Sequence, residues 1–594
     1  MRERLTYLLK TLLLTMVIFM IAKLAFMLCY HDAHEFQWAD VLQVLLHGLS
    51  LDFSTALYFL ILPLLLAIAS LWLPIRQWPF HIYYGLMSAA FSLAFVADTS
   101  LYAFWNFKLD ASCLSYLETP TEAFASVTTG YLLLRIGLFL MLAIAIFLAY
   151  FFICRFPRHQ KKWSIQELLF YALIIPLMVI GIRGGIGKST TNIGQVYFSH
   201  NQFLNHAAIN PVFSFLVSFE KTASYIPDYH FMSDEECERE TADLFPTQSI
   251  DPDTLLSTRR PNVVIVLLES CGELFAPVMP RLQQLKQEGV NFANCYGNSW
   301  RTDRGTLCTW SGYPSFPTTS VMKMPSKTRQ LPSIAATLLD EGYSTTYLYG
   351  GDINFTNMRS YLMGTGFERL VWQNDYTLEE QTTSQWGVRD DITFNTLYDM
   401  ITSQKSPFLI GFSTLSTHEP WDVPTKKLDD EIENAFAYLD DCIGQLIDRL
   451  KKTPQWNDLL IVLLPDHSID HKGMHELLKD RNRIPMVWLG GAVKEPRQVG
   501  QICNQTDLPA TLLGQMGIAH DDFRFSRDVL SRNYRHPFAI HTFNNAISMV
   551  DSTGFAVYDL DSHKTIVAES PEAEKMVRRG MAILQLATDD IKSK

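Results

Sequence analysis

An apolar run, Leu459 to Leu464, closes in PDHS, which sets Asp466 and His467 side by side. A second apolar run, Val263 to Leu268, closes in Glu269. Between them in the chain lies a polar loop, SWRTDRGT, with a hydroxyl at Thr302. Carboxylate and imidazole are the ligands that a hard or borderline dication takes. A bound dication lowers the pKa of a nearby hydroxyl and neutralises charge on a phosphoryl group in transfer. These residue types together are the parts of a metal-assisted transfer site. Other roles exist for each. Glu269 could accept at a helix N-cap, Asp466 could hold a turn, and Thr302 competes as nucleophile with Ser299, Thr306 and Thr309. Adjacent residues of an extended strand point to opposite faces, so Asp466 and His467 can share one ion only from a tight loop.

Further groups could hold an anionic substrate. Arg301 and Arg304 flank Thr302; the alternative is solvated loop arginines. His418, in LSTHEPW, could bind a phosphate oxygen or act as a general acid, or be a satisfied loop histidine. Trp386 and Arg389, in QWGVRDD, could touch substrate, or be a buried Trp and a surface Arg. His471 and His475, in HKGMH, have the i, i+4 spacing that could bind metal on a helix, but no third ligand stands nearby in the sequence.

The elements that must position these groups follow an α/β pattern from Pro261 onward. Strand candidates are VVIVLLE, TTYLYG, PFLIGFST, LLIVLLP and MVWLGG, and helix candidates between them are Pro280–Glu288, Leu331–Glu341, Asp429–Leu450 and Asp507–Met516. Strands alternating with helices imply a mainly parallel sheet, whose site lies at the carboxyl ends of its strands. Glu269, Gly350 to Asp352, Thr417–His418 and Asp466–His467 each follow a strand candidate, so four strand ends bring polar groups toward one edge.

The chain has 594 residues, too many for one core, and is 48% hydrophobic. Its net charge of −12 argues against a nucleic-acid partner. Nine cysteines show no CxxC or Cys/His finger spacing, so a structural zinc site is not expected. Cys295 and Cys308 flank the Thr302 loop and could pair if the domain lies outside the cytoplasm; separate buried thiols are the alternative. The apolar residues crowd the first third of the chain. Thr11–Tyr30, Ser54–Leu73, His81–Trp105, Tyr131–Cys154 and a shorter segment near Leu168–Ile182 are each about long enough to span a bilayer. The first is not a cleavable signal peptide, because no small-residue cleavage site follows it. Arg2, Arg4 and Lys10 precede the first span, Arg76 follows the second, and Arg155, Arg158, Lys161 and Lys162 follow the fourth. This bias places the N-terminus in the cytoplasm, and an odd number of spans places the rest, from about residue 183, outside. Asp52 and Asp98 are either functional carboxylates at membrane depth or hydrated residues near span ends. Residues 184–260 read as a juxtamembrane linker, a surface-lying helix followed by an acidic, solvated connector, SDEECERETADLF.

LLES at 267–270, RTDRG at 301–305, YGGDINFTNM at 349–358, WGVRDD at 386–391, STHEPW at 416–421, PDHS at 465–468 and RIPMVW at 483–488 resemble the lipoteichoic acid synthase family, within the alkaline phosphatase and sulfatase superfamily. GLSLDFS at 48–54 and RGGIG at 183–187 extend the resemblance into the apolar third. It implies a five-span all-α membrane domain at 1–183, a linker at 184–260 and an α/β sulfatase-like extracytoplasmic domain at 261–594, in a bacterial inner membrane. It implies Glu269, Asp466 and His467 as ligands of one divalent metal, manganese first, with magnesium or zinc as alternatives. Thr302 is then both nucleophile and ligand, and His418, Trp386 and Arg389 contact substrate, beside the Arg301 and Arg304 that the loop itself offers. It further implies transfer of phosphoglycerol from a phospholipid, phosphatidylglycerol first, through a phospho-threonine to a glycan or glycolipid. Asp303 and Arg304, directly after the Thr, vary with substrate in such proteins and leave headgroup and acceptor open. The competing readings are a phosphoethanolamine transferase, a sulfatase-type hydrolase and a silent lipid-binding regulator. A sulfatase needs a C/S-x-P-x-R signature, which this sequence lacks, and a silent domain would have lost a ligand.

Overall fold

The computed structural model describes the chain apart from residues 1, 33, 35, 106, 107, 110–112, 114–128, 158–163, 188, 200, 221–226, 247, 544, 545 and 561. The expected basic residues Arg158, Lys161 and Lys162 therefore lie outside the described residues. The chain divides into two units, Met1–Ala223 and Ser224–Lys594.

The first unit is helical: α1 (Arg2–Cys29), α2 (Trp38–Ala69), α3 (Trp78–Trp105), α4 (Thr129–Ile153) and α5 (Ile165–Arg183), then α6 (Gln202–Ala208) and α7 (Pro211–Glu220). Each of the first five carries an apolar stretch long enough to cross a membrane. A helix satisfies its own backbone groups, which lipid cannot do. Leucines such as Leu9, Leu13, Leu46 and Leu140 face outward, while the polar side chains turn in. Lys23 Nζ lies 2.8 Å from Asp52 Oδ2 and donates to the Gly48 carbonyl at 3.0 Å; Asn210 Nδ2 donates to Asp52 Oδ1 at 2.9 Å. A Cβ on residue 48 would stand 2.1 Å from Lys23 Nζ, so only glycine admits the ammonium there. Lys108 pairs with Asp98, and Arg4 with Glu167 at 2.6 Å. Asp52 and Asp98 are thus buried and paired rather than hydrated near span ends. The reason for Asp52 is that α2 starts at Trp38, sixteen residues before the expected Ser54, which puts GLSLDFS inside a helix.

The segment 184–260 is shared between the units. Asn210, just before α7, completes the Asp52 cluster of the first unit. The acidic stretch belongs to the second unit and forms a helix, α8 (Asp234–Thr241). Its Cys237 is buried against the Ala582 carbonyl, and Glu240 pairs with Arg578 at 2.8 Å, so it is a packed element and not a solvated connector.

The second unit is built on an eight-stranded sheet: β1 (Asn262–Leu267), β2 (Val290–Tyr296), β3 (Ser344–Tyr349), β4 (Arg369–Trp372), β5 (Phe408–Ser413), β6 (Leu459–Leu464), β7 (Val487–Leu489) and β8 (Arg497–Asn504). Their order is β4-β3-β5-β1-β6-β7-β2-β8. All neighbours run parallel except β7, which is antiparallel to β6 and β2. NVVIVL, FLIGFS and LLIVLL are buried along their whole length because helices cover both faces. Alternate residues of β1 serve different cores, Val263, Ile265 and Leu267 on one face and Val264 and Val266 on the other. The covering helices include α9 (Pro280–Glu288), α10 (Thr302–Ser311), α11 (Ile334–Asp340), α12 (Asp390–Ser403), α13 (Glu431–Leu450) and α14 (Leu508–Met516). A second, antiparallel sheet follows, β9 (Phe538–Phe543) to β12 (Lys564–Ala568) through β10 (Ala546–Asp551) and β11 (Gly554–Asp559), and packs against α15 (Ala573–Ser593). Because β3, β5, β1 and β6 are consecutive in the sheet, their carboxyl ends form one continuous edge.

Candidate active site

Glu269 and Asp466 stand just beyond the ends of the paired strands β1 and β6. Ser270 has a left-handed backbone, φ 60°, and this bend directs its N–H to Asp466 Oδ1 at 2.9 Å. The same oxygen accepts from the His467 N–H at 2.9 Å, which turns the chain tightly and brings Asp466 and His467 to one point. His467 Nε2 is 3.5 Å from Asp466 Oδ2 and 3.8 Å from Glu269 Oε1. Its other ring nitrogen, Nδ1, lies 3.0 Å from the Ser468 carbonyl, a partner that accepts the ring proton and leaves the Nε2 lone pair facing the carboxylates. The neighbouring loop braces Glu269: Thr414 Oγ1 accepts from its N–H at 2.9 Å, and Thr417 Oγ1 donates to its carbonyl at 2.6 Å.

Thr302 enters from α10. It is the first residue of that helix, so its hydroxyl sits where the helix dipole favours an anion. Thr302 Oγ1 lies 3.4 Å from Glu269 Oε2 and 3.4 Å from His467 Nε2. Ser299, Thr306 and Thr309 are fully buried elsewhere, with Thr309 Oγ1 donating back to the Gly305 carbonyl.

Glu269, Asp466 and His467 each offer a ligand atom within 4.8 Å of the others, and all are buried. Burial and the adjacent Asp466 push the Glu269 carboxyl well above its ordinary range. Asp466 Oδ2 is buried with no hydrogen-bond partner among the described residues. Two buried carboxylates, an orphaned oxygen and an imidazole lone pair directed at them are what a dication would compensate, so the residues present fit one metal ion.

The cluster opens into a cavity of about 610 Å³. Trp300, Arg301, Thr302, Trp386, His418 and Asp470 are among its lining. The Trp386 and His418 rings lie 4.2 Å apart, and Trp386 Nε1 donates to the Glu419 carbonyl at 2.5 Å. Burial pushes the His418 imidazole below its ordinary pKa, so it is neutral at neutral pH. Arg301 is exposed and stacks on Trp300, 4.8 Å from the ring centre.

Two arginines expected at the substrate do not border this cavity. Arg304 is buried, and its Nη1 donates to the Pro317 carbonyl at 2.7 Å, because a position two residues after Thr302 on the helix does not share its face. Arg389 is the N-cap of α12 and pairs with Asp391 at 2.7 Å. Cys295 and Cys308 do not pair either. Cys295 sits in β2 opposite Cys503 of β8, and Cys308 donates to Asn298 Oδ1 from α10. Sequence reasoning missed Trp300, Tyr349, Phe355, Met358, Trp421 and Asp470 as lining residues. Tyr349, Phe355 and Met358 fall inside YGGDINFTNM, Trp421 inside STHEPW, and Trp300 directly before RTDRG, which is the signal that could have found them.

Residues 261–518 match the Sulfatase family model. Lipoteichoic acid synthase 2 of Bacillus subtilis (strain 168) is 26% identical over 312 residues, which cover 46% of this chain and 48% of that protein. Phosphoglycerol transferase I of Xanthomonas euvesicatoria pv. vesicatoria (strain 85-10) is 24% identical over 305 residues, covering 46% and 43%. The chain thus spans about half the length of the curated relatives it matches. A solved structure from Vibrio parahaemolyticus, of a protein in the alkaline phosphatase superfamily, shares 26% identity and a TM-score of 0.54, covering 61% of this chain and 97% of that one. The second unit therefore carries a sulfatase domain of the alkaline phosphatase superfamily fold.

Proposed function

We propose that this chain, a membrane protein with a sulfatase domain, is a metal-dependent phosphoglycerol transferase that works through a covalent phospho-threonine. The observation that carries the reading is the Thr302 hydroxyl, 3.4 Å from both a carboxylate and an imidazole of the candidate metal cluster, at a helix N-terminus. The relatives named for phosphoglycerol transfer and lipoteichoic acid synthesis support the substrate class. Glu269, Asp466, His467 and Thr302 would hold one dication, manganese first. When bound, it supplies positive charge that favours the Thr302 alkoxide and neutralises a phosphate oxygen.

Thr302 Oγ attacks the phosphorus of phosphatidylglycerol in line. The Thr302 hydroxyl gives up its proton, a new P–O bond forms, the P–O bond to diacylglycerol breaks, and the leaving oxygen takes up a proton. An acceptor hydroxyl on a glycan or glycolipid then attacks the same phosphorus and loses its proton; the P–O bond to Thr302 breaks, and the Thr302 oxygen takes a proton back. His418, neutral and facing the cavity, binds a phosphate oxygen or carries one of these protons. Arg301 draws the anionic headgroup toward the opening. Trp300, Trp386 and Trp421 enclose the headgroup and restrict water, which favours transfer over hydrolysis. The charge bias of the loops supports an orientation with the N-terminus in the cytoplasm and the sulfatase domain outside.

The test is brief incubation of the full chain with phosphatidylglycerol or phosphatidylethanolamine carrying labelled headgroups, followed by mass spectrometry of the peptide containing Thr302. A phosphoglycerol adduct on Thr302, absent from Thr302→Ala, is expected. A phosphoethanolamine adduct would change the donor. An adduct on another hydroxyl, or unchanged turnover in Thr302→Ala, would refute the mechanism.

A further inference from the structure

A second group of ligand-type side chains stands apart from the Glu269 cluster. Asp430 is the N-cap of α13, and its Oδ1 accepts from the Glu433 N–H at 3.0 Å. That bond spends one carboxylate oxygen and leaves Oδ2 to face outward from the helix start. Glu433 lies one turn on, on the same side of α13. His471 comes from the loop after β6, and its Nε2 is 3.5 Å from Asp430 Oδ2 and 3.5 Å from Glu433 Oε1. The His471 side chain is 9% exposed, and its Nε2 is buried without a hydrogen-bond partner among the described residues. Its ring lies 5.6 Å from that of Phe275, which stacks on Phe436 of α13, so the imidazole is held in place from its apolar side. The ligand atoms of the three residues all fall within 4.8 Å of one another.

We propose that Asp430, Glu433 and His471 bind a second divalent cation, of the zinc class. Ligands about 2.1 Å from a tetrahedral ion stand roughly 3.4 Å apart, close to the two 3.5 Å separations observed here. One nitrogen and two carboxylate oxygens, completed by water, is a donor set that zinc accepts. Lys472 is the competitor. Its ammonium lies 2.5 Å from Glu433 Oε1 and 3.6 Å from Asp430 Oδ2 on a side chain that is 57% exposed. It satisfies the carboxylates when no ion is bound and can swing into solvent when one arrives. The i, i+4 pairing that HKGMH offered in the sequence is not the site. His471 and Met474 close a tight bridge, so His471 and His475 never share a helical face.

The cation would tie the start of α13 to the loop that carries residues 469–471. Ile432 from the first and Ile469 and Asp470 from the second line the cavity beside Thr302. The second ion therefore braces one wall of the candidate active site without touching its reacting atoms.

The test counts ions. Full-length chain in detergent is stripped with chelator, dialysed against Zn²⁺ alone, and analysed for metal per chain. Two ions are expected in the wild type, one in His471→Ala, one in Asp466→Ala and none in the double variant. Glu433→Gln, which preserves side-chain size, should lose the same ion, and equal melting temperatures in chelator establish that the variants are folded. Lys472→Ala should bind the second ion more tightly, the opposite of a general loosening. Equal metal content in the wild type, His471→Ala and Glu433→Gln would overturn the proposal. Loss in His471→Ala without loss in Asp466→Ala would leave it standing and instead refute the first site.

Discussion

Gly305 presses against the carbonyl oxygen of Asp466: a Cβ on residue 305 would come within 2.0 Å of that oxygen. The glycine of RTDRG thus lets α10 approach the PDHS loop closely enough for Thr302 to meet Glu269 and His467. Gly305→Ala must push one of the two apart. The expected result is destabilisation of about 1–3 kcal/mol and weaker metal binding together. Thermal unfolding with and without metal checks both. A variant with wild-type stability and metal affinity would show that the close approach is not needed.

Metal affinity and stability should separate at Glu269. Two carboxylates buried side by side repel each other, so Glu269→Gln removes a ligand and also removes a repulsion. The chelator-treated variant is expected to unfold at or above the temperature of chelator-treated wild type, while elemental analysis finds the ion of this site gone. Retained metal would exclude Glu269 as a ligand.

Asp507 and Arg527 form a buried bidentate pair, with Arg527 Nε 2.8 Å from Oδ1 and Nη2 2.6 Å from Oδ2. Removing one partner strands a charge in the core. Asp507→Ala should cost about 3–5 kcal/mol, and Asp507→Ala with Arg527→Met should recover part of that loss. Denaturant unfolding of the single and double variants decides it; a single-variant cost below about 1 kcal/mol would mean the pair is dispensable.

Asp390 gives a pH dependence of definite sign. Burial pushes its carboxyl up to about 6, although it accepts the N–H groups of Leu415 and Ser416. The folded chain therefore holds this proton more tightly than the unfolded chain, whose ordinary value is about 4. The stabilisation is present below about pH 4 and is lost as pH rises through about 6. The difference amounts to about 3 kcal/mol. Between pH 4 and 7 the unfolding free energy of the wild type should fall by about that much more than that of Asp390→Asn. Identical pH profiles would show that Asp390 ionises alike in both states.

The strand ends around Glu269 and Asp466 were legible because an uninterrupted apolar run that stops at a carboxylate reads directly from the chain, and a parallel sheet aligns such stops. Less was legible where a strand is rich in polar residues. VNFANCY and RQVGQICN carry Asn, Gln and Arg, so β2 and β8 lacked an apolar signature, and the antiparallel sheet β9 to β12 was not foreseen at all. Arg304 and Arg389 show a different limit. A residue type says what a side chain can bind, but helical phase and a nearer carboxylate decide where it points. His471 illustrates the same limit in reverse, since its partners at 430 and 433 share no sequence period with it.

The Asp52 cluster sets an order on how the protein can be made. Lys23 and Asp52 come from the first two helices, but Asn210, which donates to the second oxygen of Asp52, follows the fifth. During synthesis the first two helices are therefore inserted while a carboxylate deep in the bundle still lacks one of its donors. A fragment cut after Arg183 would contain all five membrane-length apolar helices found among the described residues and still leave that oxygen wanting. The natural end of an expressible helical fragment thus lies beyond Asn210, and a chain that stops short of it leaves a buried carboxylate oxygen short of a donor.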